Sequence, residues 1–537
     1  MSEHSSFLRK IMYGCAIVVL LLPLSWLSQP ATTKADAGGG AGGKLAQLRD
    51  DYKLSQANIG LIDPASETMK LATLGLRGVA ANLLWEKAIE YKKKEDWTGL
   101  SATLEQITHL QPNFIAVWRF QAWNLSYNVS VEFDDYHNRY YWVIKGINFL
   151  KEGKAYNSEE PRLQWDIGWF IAQKIGRADE HKQYRRLFRE DDDFNGSLPR
   201  SQRDNWLVGR TAFLDAQKMV DTKGIQIKGM SPLLFHDNPA KCMMNYAETL
   251  EDEGTHGEVA QNAWRKAGEE WDSYGARDLP TTYDLTIRLN DQELYERNAK
   301  AADEELEALA PGVKERLRKE KMKSLSKKER QAVELPEKDR SVEQAQLAQM
   351  CEDRIRPSAN EIADHVKGAD HAAALRIADA ATNADFIAGV IDRYREVVNF
   401  KYWRLRCKAE QTADAVKARK LIFDGDRTFA AADLDGAVRQ YDEGLQQWRK
   451  VLDAFPDLIA ESAVVDDLMD VINHYRDILA QHNRQLPDDF VLQDVIDRDS
   501  ANMNIGVPPK PKEKDQQPPG TPGSPTPEPE PVPKPKS

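Results

Sequence analysis

The chain has 537 residues, a formal net charge of −12 and four cysteines. This length predicts about three domains, and a hydrophobic content of 41% allows a sizeable core. The acidic balance argues against a general nucleic-acid-binding protein, which needs a basic surface. The four cysteines form no CxxC pair, so a disulfide scaffold or a zinc site is not indicated either.

The N-terminus is predicted to target the chain to a membrane. Residues 11–27 are apolar and uncharged, and Arg9 and Lys10 precede them. This run is just long enough to span the hydrocarbon layer, and its positive flank predicts that the rest of the chain is exported. One alternative is a signal peptide cleaved near Ala35-Asp36-Ala37, which would give a secreted protein. The other is an uncleaved single-pass anchor in the cytoplasmic membrane. It is favoured because the possible cleavage site lies far beyond the end of the apolar run.

Two segments have the composition of spacers. Residues 31–63 contain Gly38–Lys44, which nearly matches a phosphate-binding loop, but Leu45 stands where such a loop needs a hydroxyl side chain. A flexible linker explains the glycines better. Residues 501–537 are so rich in proline that they cannot bury enough apolar surface to fold, and we expect an extended, disordered tail.

Between these segments, apolar residues recur at steps of three and four, which predicts helices. Leu84 and Ala88 are followed at a distance of 34 residues by Trp118 and Ala122, and Pro112 separates the two sets. This pattern resembles the tetratricopeptide (TPR) motif, in which a small residue allows two helices to cross closely. Looser matches occur at 164–171, 243–267 and 421–456.

The TPR resemblance implies an all-α, helical-repeat (α-solenoid) protein in which helix pairs stack into a superhelix. The stretch from Leu74 to Tyr136 is also similar to a group of exported, membrane-anchored bacterial TPR-like proteins of unknown function. Some of these carry an "iron-responsive element" label, which no cysteine cluster or RNA-binding motif supports in this sequence. The predicted organisation is a signal-anchor (1–30), a linker (31–63), TPR-like repeats (64–284), a charged helical arm (285–345), a C-terminal helical domain (346–500) and the tail (501–537).

In TPR proteins, the first helix of each pair lines a concave binding groove. Two positions that hold a carboxylate clamp in the chaperone-tail subtype are Trp85 and Ile89 here, so that specificity is not indicated. Arg119 beside Trp123 favours an acidic or aromatic partner instead. We therefore expect a non-enzymatic scaffold, without a cofactor, that binds another envelope protein or peptide. The groove residues implied by the resemblance are Asn82, Trp85, Ile89, Lys92, Arg119, Trp123 and Tyr127.

Two alternative functions remain open. Aromatic and acidic side chains at 118–142 are typical of glycan-binding or glycan-hydrolysing proteins, although Asp134 and Asp135 are adjacent and diverge on a helix. Asp191, Asp193 and Asn195 match the first half of a calcium loop, so a calcium-stabilised scaffold is also considered. That loop lacks its final ligand, because its 191–202 span ends on glutamine.

One segment of this acidic chain is strongly basic. Residues 314–330 hold nine Lys and Arg against three Glu. A solvated helical arm is the expected explanation, and contact with anionic lipid is the alternative. Ser324 and Lys327 match an S-x-x-K motif, but without its partner motifs.

Overall fold

The computed structural model describes residues 77–227 and 229–504. The chain divides into two units, Met1–Lys228 and Gly229–Ser537, a boundary that falls inside the predicted 64–284 segment. The predicted anchor at 11–27, the 31–63 linker and the proline-rich residues 505–537 lie outside the described residues. Among the helices at 77–227 and 229–504, none is long and apolar enough to cross a membrane.

The prediction of an all-α protein is confirmed for the described part of the chain. In the first unit the helices are α1 (Arg77–Lys93), α2 (Trp97–Leu110), α3 (Ile115–Trp123), α4 (Tyr136–Tyr156), α5 (Pro161–Trp169), α6 (Ile175–Arg177), α7 (His181–Glu190), α8 (Asp192–Asn195) and α9 (Asn205–Lys223). Two π-helical segments, Asn124–Val129 and Phe170–Lys174, continue α3 and α5, and 3-10 turns occur at Ser130–Glu132 and Arg200–Gln202.

The second unit contains α10 (Pro232–His236), α11 (Asn238–Asp252), α12 (Glu258–Gly275), α13 (Gln292–Leu309), α14 (Val313–Met322), α15 (Lys327–Glu334), α16 (Val342–Ile355), α17 (Ala359–Ala363), α18 (His371–Val397), α19 (Phe400–Glu410), α20 (Ala413–Ala430), α21 (Leu434–Ala454), α22 (Ser462–Gln481) and α23 (Gln493–Asn504). Between α12 and α13, the strands β1 (Leu279–Pro280) and β2 (Thr286–Ile287) pair antiparallel, with Leu279 opposite Ile287.

Local sequence signals fix the ends of the helices in the first unit. The carboxylates of Asp96, Asp135 and Asp204 accept hydrogen bonds from backbone N–H groups in the first turns of α2, α4 and α9. Such caps satisfy donors that have no partner within the helix. Pro161 stands at the start of α5, where its fixed φ suits a helix, and Gly224 ends α9 in the left-handed region at φ 62°.

Helices of the first unit pack in pairs, α1 with α2, α3 with α4, and α5 with α9. Small residues lie where these helices meet. Ala88 is buried in one cluster with Leu100 and Leu104 of α2. A Cβ added at Gly146 of α4 would lie 2.7 Å from the carbonyl oxygen of Ala122 on α3. The two alanines predicted to lie at helix crossings are therefore both buried against the neighbouring helix.

The second unit contains further pairs, including α11 with α12, α13 with α18, and α20 with α21. In the last of these, a Cβ at Gly425 would lie 2.7 Å from the ring of Tyr441, and one at Gly444 would lie 2.9 Å from Ile422. The helix pairs predicted from the 243–267 and 421–456 patterns are thus present. In the pair α20 and α21, glycines lie where the neighbouring helix places an aromatic or a branched side chain.

The basic 314–330 segment forms most of α14 and the first part of α15, and its Leu317 packs against the cluster that contains Leu306 and Ile362. Three of its cations pair with acids from other helices. Lys314 lies 2.8 Å from Asp303, Arg318 lies 2.7 Å from Glu352, and Lys321 lies 2.7 Å from Glu361. Neighbouring helices therefore neutralise part of the local positive charge.

Candidate functional site

Aromatic side chains form a continuous row across α1, α3 and the segment that continues α5. The ring centroid of Trp85 lies 5.9 Å from that of Phe120, and Phe120 lies 6.3 Å from Trp123. Trp123 and Tyr127 stack at 6.1 Å, and Tyr127 meets Phe170 edge-on at 5.8 Å. We call these five residues the aromatic row. All but Phe170 are partly exposed, so the row combines a fixed packing with an accessible apolar edge.

Two lysines flank the aromatic row. The Lys92 ammonium lies 5.2 Å from the centroid of the Phe120 ring, and that of Lys174 lies 4.3 Å from the centroid of the Tyr127 ring. These are cation–π distances. Burial lowers the pKa of Lys174 to about 8, while Glu180 acts in the opposite direction. Lys174 therefore remains charged at neutral pH beside a partly apolar surface.

Arg119 is engaged within the fold. Its guanidinium pairs with Asp166 of α5, and the Nε of Arg162 donates to the same carboxylate at 3.1 Å. Asp166 and Arg162 are buried. The trio connects α3 to α5, so Arg119 has a structural partner in addition to its place beside Trp123.

The structure brings together four of the seven predicted groove residues. Trp85, Trp123 and Tyr127 belong to the aromatic row, and Lys92 borders it. Asn82 and Ile89 lie exposed on α1, with Ile89 42% accessible. Arg119 occupies the neighbouring ion-pair trio. The predicted face is thus a partly exposed aromatic surface with an aliphatic residue and a lysine at one end.

The two π-helical segments were not anticipated from the sequence. Tyr127 lies in the first segment, and Phe170 and Lys174 lie in the second. The contacts between these residues join the two widened turns. A π turn adds one residue to a helical turn and rotates the side chains that follow, and such turns are frequent at functional sites. No simple sequence pattern encodes this insertion, so its position had to come from the structure.

The acidic residues at 131–142 have local partners. Asp135 caps α4 by accepting hydrogen bonds from the backbone of His137 and Asn138, each at 3.1 Å. Asp134 is exposed, and Glu132 accepts a hydrogen bond from Trp97 at 3.1 Å. This arrangement assigns Asp135 a structural role, and the glycan alternative stays a prediction.

Two residues of the candidate calcium loop also have hydrogen-bond partners within the fold. Asp191 caps α8 through the backbone N–H of Phe194 at 2.8 Å and accepts from the Tyr140 hydroxyl at 3.0 Å. Asn195 donates its amide to the carbonyl of Phe188 at 2.7 Å, and Asp193 is exposed. Across residues 77–227 and 229–504, no three His, Cys, Asp or Glu side chains are grouped so that they could hold a metal ion. The calcium alternative also stays a prediction.

A cavity of about 840 Å³ in the first unit was missed by the sequence analysis. Its walls come from the end of α4, one face of α5, residues 194–202 and the first half of α9. Lys151 lines it, with its ammonium 3.3 Å from the centroid of the Phe194 ring. Burial lowers the pKa of Lys151 to about 8, opposed by the charge of Asp191. The lining residues are far apart in sequence, so no motif could reveal them.

The second unit contains a buried charge network. The guanidinium of Arg419 donates two hydrogen bonds to Glu410, at 2.5 and 3.2 Å. Arg406 lies 2.7 Å from Glu248 and 3.8 Å from Glu410. Although burial acts to raise the pKa of Glu410, the charges and hydrogen bonds of Arg419 and Arg406 hold it below its ordinary value.

Glu251 lies beside this network, and its pKa is shifted in the opposite direction to that of Glu410. Its Oε2 accepts a hydrogen bond from Trp264 at 3.2 Å, and its Oε1 has no hydrogen-bond partner among the described residues. Burial, followed by the charge of Glu410, raises the pKa of Glu251 to about 8. The site therefore favours the protonated form of this carboxyl in the folded protein.

Comparison with known proteins adds no assignment to these sites. No family model matches the sequence, and no curated protein or solved structure matches it.

Proposed function

We propose that the protein is a non-enzymatic, TPR-like scaffold that binds another protein of the bacterial cell envelope. The binding surface is the face formed by the first helices of the pairs in the first unit, α1, α3 and α5. The observation that carries this proposal is the aromatic row, which runs across α1, α3 and the π-helical segments that continue α3 and α5. Four of its rings are partly exposed. Binding energy at protein interfaces is concentrated in such aromatic anchors.

The TPR-like interpretation is supported by the placement of small residues. Ala88, Ala122 and Gly168 occupy the same position in the three first helices, and each is buried at a contact with another helix. A single helix pair of this size cannot cover its own apolar face, so stacking of pairs is the expected solution. The membrane tether at residues 11–27, and the export of the remaining chain, belong to this proposal.

The partner segment is expected to be acidic and to carry an aromatic or aliphatic side chain. Lys92 is exposed beside the row and Lys174 is partly buried at its other end. Two cations that flank an apolar strip complement a segment with carboxylates around an apolar anchor. Exposed Ile89 extends the apolar strip along α1.

A charge reversal at the row tests the proposal. Lys92→Glu should weaken binding of the partner about tenfold or more, because a carboxylate would then face an acidic segment. Lys87→Glu is the matched control, since Lys87 is also exposed on α1 and lies 5.5 Å from an aromatic centroid, that of Tyr91. The partner is first captured by crosslinking in cells that produce the protein, and its affinity for the purified variants is then measured. Equal affinities of the two variants would contradict the proposal.

A further inference from the structure

The cavity in the first unit has the size and lining of a small-molecule site. Its volume of about 840 Å³ lies within the range of ligand pockets, which hold roughly 300–1,000 Å³. One part of the wall is aliphatic, formed by Ile167, Ile171, Leu198, Leu207 and Val208. This wall offers the hydrocarbon part of a ligand an apolar surface to pack against.

The charged residues of the cavity are mostly cationic. Lys151 and Lys154 of α4 and Arg210 of α9 line it, against a single carboxylate from Asp215. Among the described residues the lining itself therefore has an excess of two positive charges, while the carboxylate of Asp191, outside the lining, acts on Lys151. Lys151 is only partly exposed, and the face of the Phe194 ring lies next to its ammonium.

Neutral polar groups complete the lining. Gln164 is buried, and its amide donates to the carbonyl of Ala212 at 3.3 Å. Asn195, Gln202 and Thr211 also line the cavity. Such groups can orient a ligand, while the cations select the sign of its charge.

We propose that this cavity binds an amphiphilic organic anion, with its carboxylate among Lys151, Lys154 and Arg210 and its hydrocarbon chain along Ile167, Ile171 and Val208. The charge of the lining favours an anion over a cation of the same shape. The aliphatic wall favours a carboxylate with a chain over a small, fully hydrated anion. None of the five residues of the aromatic row lines this cavity, so the site goes beyond the proposed scaffold function.

Equilibrium dialysis of the purified full-length protein in a nonionic detergent tests this proposal. Octanoate is the probe, octylammonium is the cation of equal length, and hexanoate is the shorter acid. We expect saturable binding of one octanoate per chain and no saturable binding of octylammonium. Hexanoate should bind about 15-fold more weakly, because two methylene groups contribute about 0.8 kcal/mol each.

Variants assign the binding to this cavity. Lys151→Met/Lys154→Met should weaken octanoate binding at least tenfold. The matched control Lys182→Met/Lys218→Met removes two exposed lysines of the same unit and should bind like the original protein. Thr211→Trp, at an exposed lining position of α9, should place a large side chain in the cavity and abolish binding while the melting temperature is retained.

Several results would overturn the proposal. Equal binding of octanoate and octylammonium would show that charge does not select the ligand. Unchanged octanoate binding by Thr211→Trp or by the double lysine variant would place the ligand elsewhere. Binding only to phosphatidylglycerol vesicles, with no affinity for free octanoate, would indicate a lipid surface in place of a free carboxylate. None of these results depends on whether a protein partner binds the aromatic row.

Discussion

Gly146 of α4 packs directly against the backbone of Ala122 on α3. A Cβ at Gly146 would lie 2.7 Å from the Ala122 carbonyl oxygen and 2.1 Å from the Ser126 hydroxyl. Backbone cannot move aside as a flexible side chain can, so the absence of a side chain at 146 determines how closely this pair packs.

Gly146→Ala should therefore destabilise the protein by about 1–3 kcal/mol, as overpacking of a core usually does. The opposite effect is expected for Gly389→Ala in the interior of α18, because no atom of residues 77–227 or 229–504 would lie within 4 Å of a Cβ there. At this site, alanine should stabilise by about 0.5–1 kcal/mol through helix propensity. Urea unfolding followed by tryptophan fluorescence measures both. Equal effects of the two substitutions would contradict the assigned crossing.

The sequence predicted that Ala88 and Ala122 lie at helix crossings, but it identified neither Gly146 opposite Ala122 nor the partners of the polar residues. Small residues such as Ala88 and Ala122 recur with the apolar period, so their burial followed from the pattern. The pairing of Arg119 with Asp166, and the route of the chain through two π turns, depend on how separate helices meet. The cavity between α5 and α9 escaped prediction for the same reason, since its lining residues come from four segments.

Arg119→Glu should reduce stability as well as any binding. The new carboxylate would face Asp166 in the first unit, and Arg162 alone would have to compensate two negative charges. We expect a loss on the order of 2–4 kcal/mol, comparable to breaking other buried ion pairs. Thermal unfolding should show this loss. Arg119→Lys should retain most of the stability because it keeps the positive charge. If Arg119→Glu melts like the original protein, the ion-pair trio is not formed.

Arg419→Met should be strongly destabilising because it leaves Glu410 buried with less compensation. The expected cost is about 3–5 kcal/mol. The double variant Arg419→Met/Glu410→Gln should recover part of this loss, since it removes the uncompensated charge. Chemical denaturation of the single and double variants measures the coupling between the two residues. An additive result would show that they do not interact.

Glu251 predicts a pH dependence of stability. Its pKa is raised from 4.5 to about 8 in the folded protein, so between these values the folded state binds a proton that the unfolded state does not. Stability from this group is therefore present at low pH and is lost as pH rises toward 8, by about 1.4 kcal/mol per pH unit at most.

Glu251→Gln should remove this slope, because glutamine does not titrate and its carbonyl can still accept from Trp264. As pH rises from 5 to 8, the free energy of unfolding of the variant should therefore increase relative to that of the original protein. Glu253→Gln, at an exposed position following the same helix, is the control and should leave the pH profile unchanged. Parallel pH profiles for Glu251→Gln and the original protein would disprove the raised pKa.

Site-specific photo-crosslinking in intact cells tests the scaffold function most directly. The crosslinking residue is placed at Ile89, exposed on the first helix α1, or at Gln106, exposed on the second helix α2. The scaffold function predicts one discrete protein adduct from position 89, lost when Lys92→Glu is added, and none from position 106. No adduct from position 89, or the same adduct from both positions, would contradict it.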